Sequence, residues 1–228
     1  MFSRSRALLG DEAMTRLAAA RVAVIGVGGV GGWCAEALVR TGVGHLTLVD
    51  DDTVQPSNLN RQCPATSKTL GLPKVEAMKS RLLEINPDCD VTALCERFPS
   101  PTTQTLNHPN TQTPFDLIID AIDSVDCKAE LILTATEKGV PLVCSMGAAL
   151  RTDPTKVEVR RFDKVEGDGL ARALRQRFKR LNRFPAAKFA CVCSTEIPRE
   201  SDERGSLMQV TAAFGMCLAA EAVRQLTA

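Results

Sequence analysis

Apolar residues along this chain recur in two rhythms, and the switching between them predicts strands and helices in turn. The run Arg21-Val-Ala-Val-Ile25 is short and continuous, then breaks into the glycines of Gly26-Val-Gly28-Gly29-Val-Gly31-Gly32. Apolar positions resume at helical spacing through Trp33, Ala37 and Leu38, so the stretch reads as strand, tight turn and helix start. A second apolar run, His45-Leu-Thr-Leu-Val-Asp50, ends in an acid. Ahead of the glycines, a stripe at Leu8, Leu9, Met14 and Leu17 predicts a helix ending before Arg21.

Further on, Val75, Met78, Leu82 and Ile85 predict a helix that opens near Pro73 and stops at Asn86-Pro87. Asp90 to Cys95 reads as a third strand, and Pro99 to Pro114, rich in Thr, Pro and Asn, as a surface excursion. Phe115-Asp-Leu-Ile-Ile-Asp120 and Val140 to Cys144 have the uninterrupted apolar character of strands buried on both faces, with a helix from Val125 to Gly139 between them. Beyond Gly147 come an alternating strand Lys156–Arg160, a basic helix Leu170–Leu181, a strand Phe189–Cys193 and a helix Leu207–Leu226. The pattern predicts a Rossmann-like, doubly wound, mostly parallel α/β sheet extended by antiparallel strands. It is expected as one domain over 1–228, with a nucleotide-binding half at 1–150 and the added strands and helices at 151–228. No internal repeat, heptad pattern or low-complexity segment interrupts it.

Composition sharpens this only in places. The 228 residues suffice for a full core, and no apolar run approaches the roughly 18 residues of a membrane span. The opening Met1-Phe-Ser-Arg-Ser-Arg6 lacks the apolar stretch of a signal peptide, so a cytoplasmic protein with no membrane association is expected. Nine cysteines in such a chain read as reduced thiols, several of them small core residues such as Cys144 and Cys217. Net charge is +1, yet between Arg160 and Lys188 ten cations face three acids. That segment is a candidate for nucleic-acid phosphates, with a solvated face or an acidic protein partner as the competing uses. Phe178, Phe184 and Phe189 nearby are expected in the core, and the chain has no Tyr for stacking on bases.

The glycine pattern carries the first chemistry. Gly26 supplies the turn, Gly28 and Gly29 allow close approach of a phosphate, and Gly31 lets helix and strand pack, with the helix N-terminus attracting negative charge. Asp50 stands at the distance expected for a ribose contact. Together they predict a nucleotide site at the carboxyl ends of the strands, with Asp123 on the same rim.

Asn58-x-x-Arg61-Gln62, Gly71-x-x-Lys74 and Asp120-Ala-Ile-Asp123 resemble the ubiquitin-activating, ThiF-type superfamily. Its bacterial members include the activators of sulfur carriers for thiamine and molybdopterin. Within it, Arg4-Ser-Arg-Ala-Leu-Leu-Gly10, Ile25-Gly-Val-Gly-Gly-Val-Gly31, Asp120-Ala-Ile-Asp-Ser124 and Asp153-Pro-Thr-Lys156 look most like the tRNA threonylcarbamoyladenosine dehydratase family. The resemblance implies ATP on the glycine turn and transfer of AMP to a carboxylate. It assigns Asp50 to the ribose, Asn58, Arg61 and Lys74 to the phosphates and Asp123 to magnesium. Arg4 is assigned to the phosphates of a partner in a homodimer, and Asp52 is counted with the nucleotide contacts.

In the dehydratase family ATP activates a threonyl carboxylate on a tRNA nucleoside, and the nucleoside's own ureido nitrogen then displaces AMP and closes a ring. The implied partner is therefore tRNA, through segment 160–188. Adenylation of a ubiquitin-like sulfur carrier, with a sulfur-transfer partner, is the alternative. Two Cys-x-x-Cys pairs would signal the structural zinc common among carrier activators; this chain has none, and no zinc is expected. The bland alternatives are equally concrete. Arg61 could bridge a loop, Lys74 could be solvated, Asp123 could cap a helix, and Cys63 could be a nucleophile or an inert thiol. A nicotinamide oxidoreductase would share the glycines and Asp50, and a non-catalytic nucleotide sensor would bind ATP without turnover.

Overall fold

The computed structural model describes residues 1–100, 103, 106–107 and 115–228, so most of the excursion expected over 99–114 lies outside the described residues. In chain order the elements are α1 (Ser3–Ala19), β1 (Arg21–Ile25), α2 (Gly31–Thr41), β2 (His45–Val49), α3 (Lys74–Ile85), β3 (Asp90–Leu94) and β4 (Leu117–Asp120). They continue as α4 (Val125–Lys138), β5 (Leu142–Ser145), β6 (Val157–Arg161), α5 (Gly169–Leu181), β7 (Ala190–Ser194) and α6 (Met208–Thr227).

The strands form one sheet in the order β3-β2-β1-β4-β5-β7-β6. Alternate residues of β1 serve opposite faces. Val22 and Val24 join Met14 of α1, Leu38 of α2, Met78 of α3 and Phe214 of α6, whereas Ala23 and Ile25 join the core formed with α4 and α5. Both faces are thus covered, which is why the strands read as apolar runs rather than as alternating ones. Leu8, expected in the packing stripe of α1, is 84% exposed, whereas Met14 and Leu17 are buried. The helix breaks at Gly10, so the stripe does not continue across it.

The sheet is mostly parallel and is extended by an antiparallel pairing, as expected, although β7 itself joins it in parallel. β7 pairs parallel with β5, and only β6, on the outer edge, runs antiparallel to β7. The order in which strands are added reverses between β1 and β4, which are parallel direct neighbours with Ile25 beside Asp120. That is the switch point where an open parallel sheet leaves a crevice, so the glycine turn after β1 and the Ala121–Ser124 loop after β4 face one another.

One buried carboxylate ties this half together. Glu36 on α2 accepts from Arg40 Nε at 2.8 Å, from Arg81 Nε of α3 at 2.5 Å and from Cys63 Sγ at 3.1 Å. Burial pushes its carboxyl up, but those hydrogen bonds outweigh burial and hold it below the ordinary carboxylate value. A depressed carboxylate stabilises the fold above its unfolded pKa and loses that contribution as pH falls through the folded one. Glu36→Gln should lower the urea midpoint at pH 7 by an amount equivalent to about 1–3 kcal/mol. The gap to the wild-type chain should close below about pH 4. A gap of constant size across that range would contradict the assignment.

Candidate active site

The turn after β1 folds back so tightly that side chains have no room. Gly26 has φ +92°, and a Cβ there would stand 2.7 Å from Ala121 O; one at Gly31 would stand 1.9 Å from Gly26 O. Gly28 and Gly29 line the cleft, and a Cβ on Gly28 would approach protein no closer than 3.7 Å, at Gln62 Nε2. The crowding therefore lies beneath the turn, and the open side faces the cleft. α2 begins at Gly31 with no side chain capping it; Gly32 N donates back to Gly28 O at 3.1 Å, and no side chain competes with an anion for the helix start.

Asp50 holds the turn from the next strand. Its Oδ2 accepts from Val27 N at 2.7 Å and its Oδ1 from Asp52 N at 2.9 Å. Burial raises its carboxyl above the ordinary value, against the opposing pull of Lys74 and of these two amides. Lys74, at the first turn of α3, is not a solvated lysine. Its side chain is 7% exposed, with Nζ 2.6 Å from Asp52 Oδ2 and 3.9 Å from Asp50 Oδ1.

Arg61 also lines the cleft. Its carbonyl accepts from Trp33 Nε1 at 2.9 Å, while Nη1 donates to Ser57 O at 2.8 Å and to Asn60 Oδ1 at 2.9 Å. It does steady its loop, without a salt bridge among the described residues. Asp123 enters from the β4 side as an exposed residue on the cleft wall. α4 starts with Ser124 at its cap position and no side-chain cap bond, so capping does not occupy the Asp123 carboxylate.

Asn58 is placed differently. It is buried, outside the cleft lining, and its Oδ1 accepts from Gln55 N at 2.9 Å. Its side-chain oxygen thus closes a local turn. Arg4 lies exposed on α1 and does not line the cleft of its own chain. Cys63 is buried, and burial together with the Glu36 carboxylate pushes its thiol up to about 12. A thiol so rarely ionised is a poor nucleophile. Asp51 lines the cleft beside Asp52.

The cleft has a volume of about 690 Å³ and extends beyond the nucleotide end. Three further features are visible only in three dimensions. Arg97, just past β3, lines the wall; its hydrogen bond with Cys127, with Asp51 and Asp123 adding to it, raises its guanidinium above the ordinary value. Lys128 on α4 is wholly buried beneath the Asp123 loop, with Nζ 2.8 Å from Asp120 Oδ1 and donating to Ile122 O at 3.0 Å. At the far end, Arg151 pairs with Asp168 at 3.0 Å, both side chains buried. Asp168 accepts from Gly147 N at 3.1 Å and caps α5 through Ala171 N at 2.9 Å. The far wall of the cleft and the start of the basic helix are thereby one rigid corner.

The basic segment is less uniform than its count of cations implies. Arg175 turns inward, donating to Phe162 O at 2.9 Å and Val165 O at 2.6 Å, and Arg177 meets Asp126 at 2.8 Å. Phe178 and Phe189 pack on Phe162 in the core as expected, but Phe184 is 58% exposed. It follows the end of α5, where Asn182 adopts φ 48° and turns the chain outward.

Comparison with known proteins agrees with this geometry. A family profile described as the ThiF family matches residues 2–228. The tRNA threonylcarbamoyladenosine dehydratase of Bacillus subtilis (strain 168) is 40% identical over 179 residues, which cover 78% of this chain and 69% of that protein. The enzyme of that name from Escherichia coli (strain K12) is 38% identical over 221 residues, covering 92% of this chain and 80% of that protein. The crystal structure of E. coli tRNA N6-threonylcarbamoyladenosine dehydratase in complex with ATP is 37% identical, with a TM-score of 0.89, and covers 99% of this chain and 93% of that one.

Proposed function

The chain belongs to the ThiF family, and from that premise we propose that it is an ATP-dependent tRNA threonylcarbamoyladenosine dehydratase. We read it as one adenylation domain over residues 1–228. The observation that carries the reading is the meeting of the glycine turn, Arg61, Lys74 and Asp123 in one cleft. A dinucleotide oxidoreductase has no use for two cations and a free carboxylate around a phosphate cradle.

In this reading a threonyl carboxylate on the tRNA attacks the α-phosphorus of ATP, forming an acyl-adenylate and releasing pyrophosphate. The ureido nitrogen of the same nucleoside then attacks the acyl carbon, the ring closes and AMP leaves. Because nucleophile and electrophile belong to one molecule, proximity serves in place of an enzyme nucleophile. The inert Cys63 fits that scheme. Cys63→Ala should keep turnover within about threefold, measured as AMP release per tRNA; a loss of two decades would point to a thioester route instead.

Each residue has a defined task. Asp50, fixed by Val27 N and Asp52 N, lies where a ribose is expected. Gly28, Gly29 and the start of α2 receive phosphate oxygens, while Lys74 and Arg61 balance the charge that moves toward the leaving pyrophosphate. The Asp123 carboxylate, unused by α4, suits a magnesium ion, which would supply Lewis-acid stabilisation of the phosphates. The basic segment 160–188 is the tRNA contact.

Arg4 can serve only a neighbouring cleft, which requires a homodimer. Mixing Arg4→Ala with Lys74→Ala subunits should then restore activity that neither homodimer has. In the mixed dimer, the Arg4→Ala subunit keeps its Lys74 and receives Arg4 from its partner. Mixtures no more active than the average of the parents would remove this role.

The decisive experiment is ATP–pyrophosphate exchange with defined carboxylate substrates. Exchange dependent on threonylcarbamoylated tRNA is expected. Exchange driven by a small protein ending in Gly-Gly, and not by tRNA, would establish carrier activation instead.

A further inference from the structure

The cations of the basic segment divide into two sets once their partners are known. Arg160, Arg161, Arg175, Arg177 and Arg183 are engaged with Glu158, Asp163, the Phe162 and Val165 carbonyls, Asp126, and Glu130 with Glu137. The other five make no ion pair among the described residues: Lys164 and Lys188 lie off the helix, and on α5 Arg172, Lys179 and Arg180 are exposed. At about 100° per residue these three, with Gln176, fall within an arc of roughly 100° on the face opposite Ala171, Leu174 and Phe178. They form a stripe, not a cloud.

The stripe has a direction. α5 begins at the cleft, where Asp168, Gly169, Leu170 and Ala173 line the wall, and the Arg151–Asp168 pair fixes that corner. Arg172 is the first free cation beyond the rim, Lys179 and Arg180 follow about 10–12 Å further along the axis, and Phe184 stands just past the helix end. Phe184 is 58% exposed, although Phe162, Phe178 and Phe189 of the same segment are all in the core.

From this arrangement we propose that α5 is a guide for a single-stranded stretch of RNA. Its phosphates run along Arg172, Lys179 and Arg180, and an unpaired base stacks on Phe184 while the reacting nucleoside occupies the cleft. The inference rests on the tRNA reading above and adds the path, its polarity and the stacking residue. Free cations in a row fit a polyphosphate backbone, and an exposed phenyl at the end of that row fits a base face. A paired stem would offer Phe184 nothing, because its bases are already stacked.

Fluorescence anisotropy with labelled substrate tRNA at several salt concentrations tests this on the full chain. Arg172→Ala/Lys179→Ala/Arg180→Ala should weaken binding and reduce the slope of log K against log salt by about two to three. Phe184→Ala should weaken binding about tenfold with an unchanged salt slope, Phe184→Trp should restore it, and a fully paired RNA duplex should bind both equally. ATP affinity should remain unaltered in every variant, which verifies the fold. Normal tRNA binding and salt slope in the triple variant, or wild-type binding by Phe184→Ala, would overturn the guide while leaving the dehydratase reading intact. A wild-type chain that binds ATP but no tRNA would overturn both.

Discussion

Lys74→Ala is expected to reduce tRNA-dependent ATP–pyrophosphate exchange by a factor of about 10²–10³, the range seen when one preorganised electrostatic contact is removed. The ammonium lies 2.6 Å from Asp52 and 3.9 Å from Asp50, in a position almost closed to water. Without it, the cleft presents Asp50, Asp51 and Asp52 to an incoming triphosphate with less positive charge to balance them. Binding and chemistry should both suffer, since like charges at a few ångströms and reduced dielectric repel by several kcal/mol. Lys74→Arg should recover little, because the planar fork cannot occupy the space of a compact ammonium. The fold should survive, as the freed Asp52 carboxylate is already 67% exposed and water can solvate it. Asp123→Ala should lose exchange to a similar degree and need more magnesium for what remains. Exchange within about fivefold of wild type in Lys74→Ala would remove the phosphate role assigned to it.

How much of this was legible in the sequence depends on whether a contact is local in the chain. The glycine turn, the strand ending at Asp50 and the apolar strand before Asp123 were readable because each is a strand-to-loop transition with its own local signature. Segment 160–188 was readable as charge, but not as a stripe: which cations are free depends on Asp126, Glu130 and Glu137 of α4, about 50 residues away. Phe184 was misread for a related reason. An isolated Phe near a helix end carries no periodicity, and only the outward turn at Asn182 decides its exposure. The local use of Asn58 was not legible, because an amide in a turn serves the backbone as readily as a ligand, and here Gln55 N engages its oxygen. That β7 joins β5 in parallel was not legible, because a short apolar run signals burial and does not fix the direction in which its neighbour pairs. Arg97 and Arg151 meet partners from other parts of the chain, Cys127 and Asp168 among them, and Lys128, though only eight residues from Asp120, carries no local signal that its ammonium is buried.

Of these, Lys128 carries the largest expected effect on stability. Its side chain and that of Asp120 are both fully buried, joined at 2.8 Å, and the same ammonium donates to Ile122 O. Lys128→Met would strip the charge and leave a carboxylate with no counterion inside the protein, a change that costs about 3–5 kcal/mol. For a chain of this size that is a fall in Tm on the order of 10 °C. Burial already raises the Asp120 carboxyl above its ordinary value, with Lys128 opposing that shift. In the variant the opposition is gone and the folded chain holds the proton more tightly than the unfolded one. Stability should then fall as pH rises through the window between the two pKa values and return on acidification, so the deficit at pH 7 should shrink toward pH 4–5. Adding Asp120→Asn should recover part of the loss at pH 7, because the uncompensated charge is removed with its partner. The loop these groups hold carries Asp123, so the double variant should remain catalytically weak even where its Tm recovers. A Lys128→Met chain that melts within about 2 °C of wild type at pH 7, with no dependence on pH, would show that the buried pair does not anchor the loop.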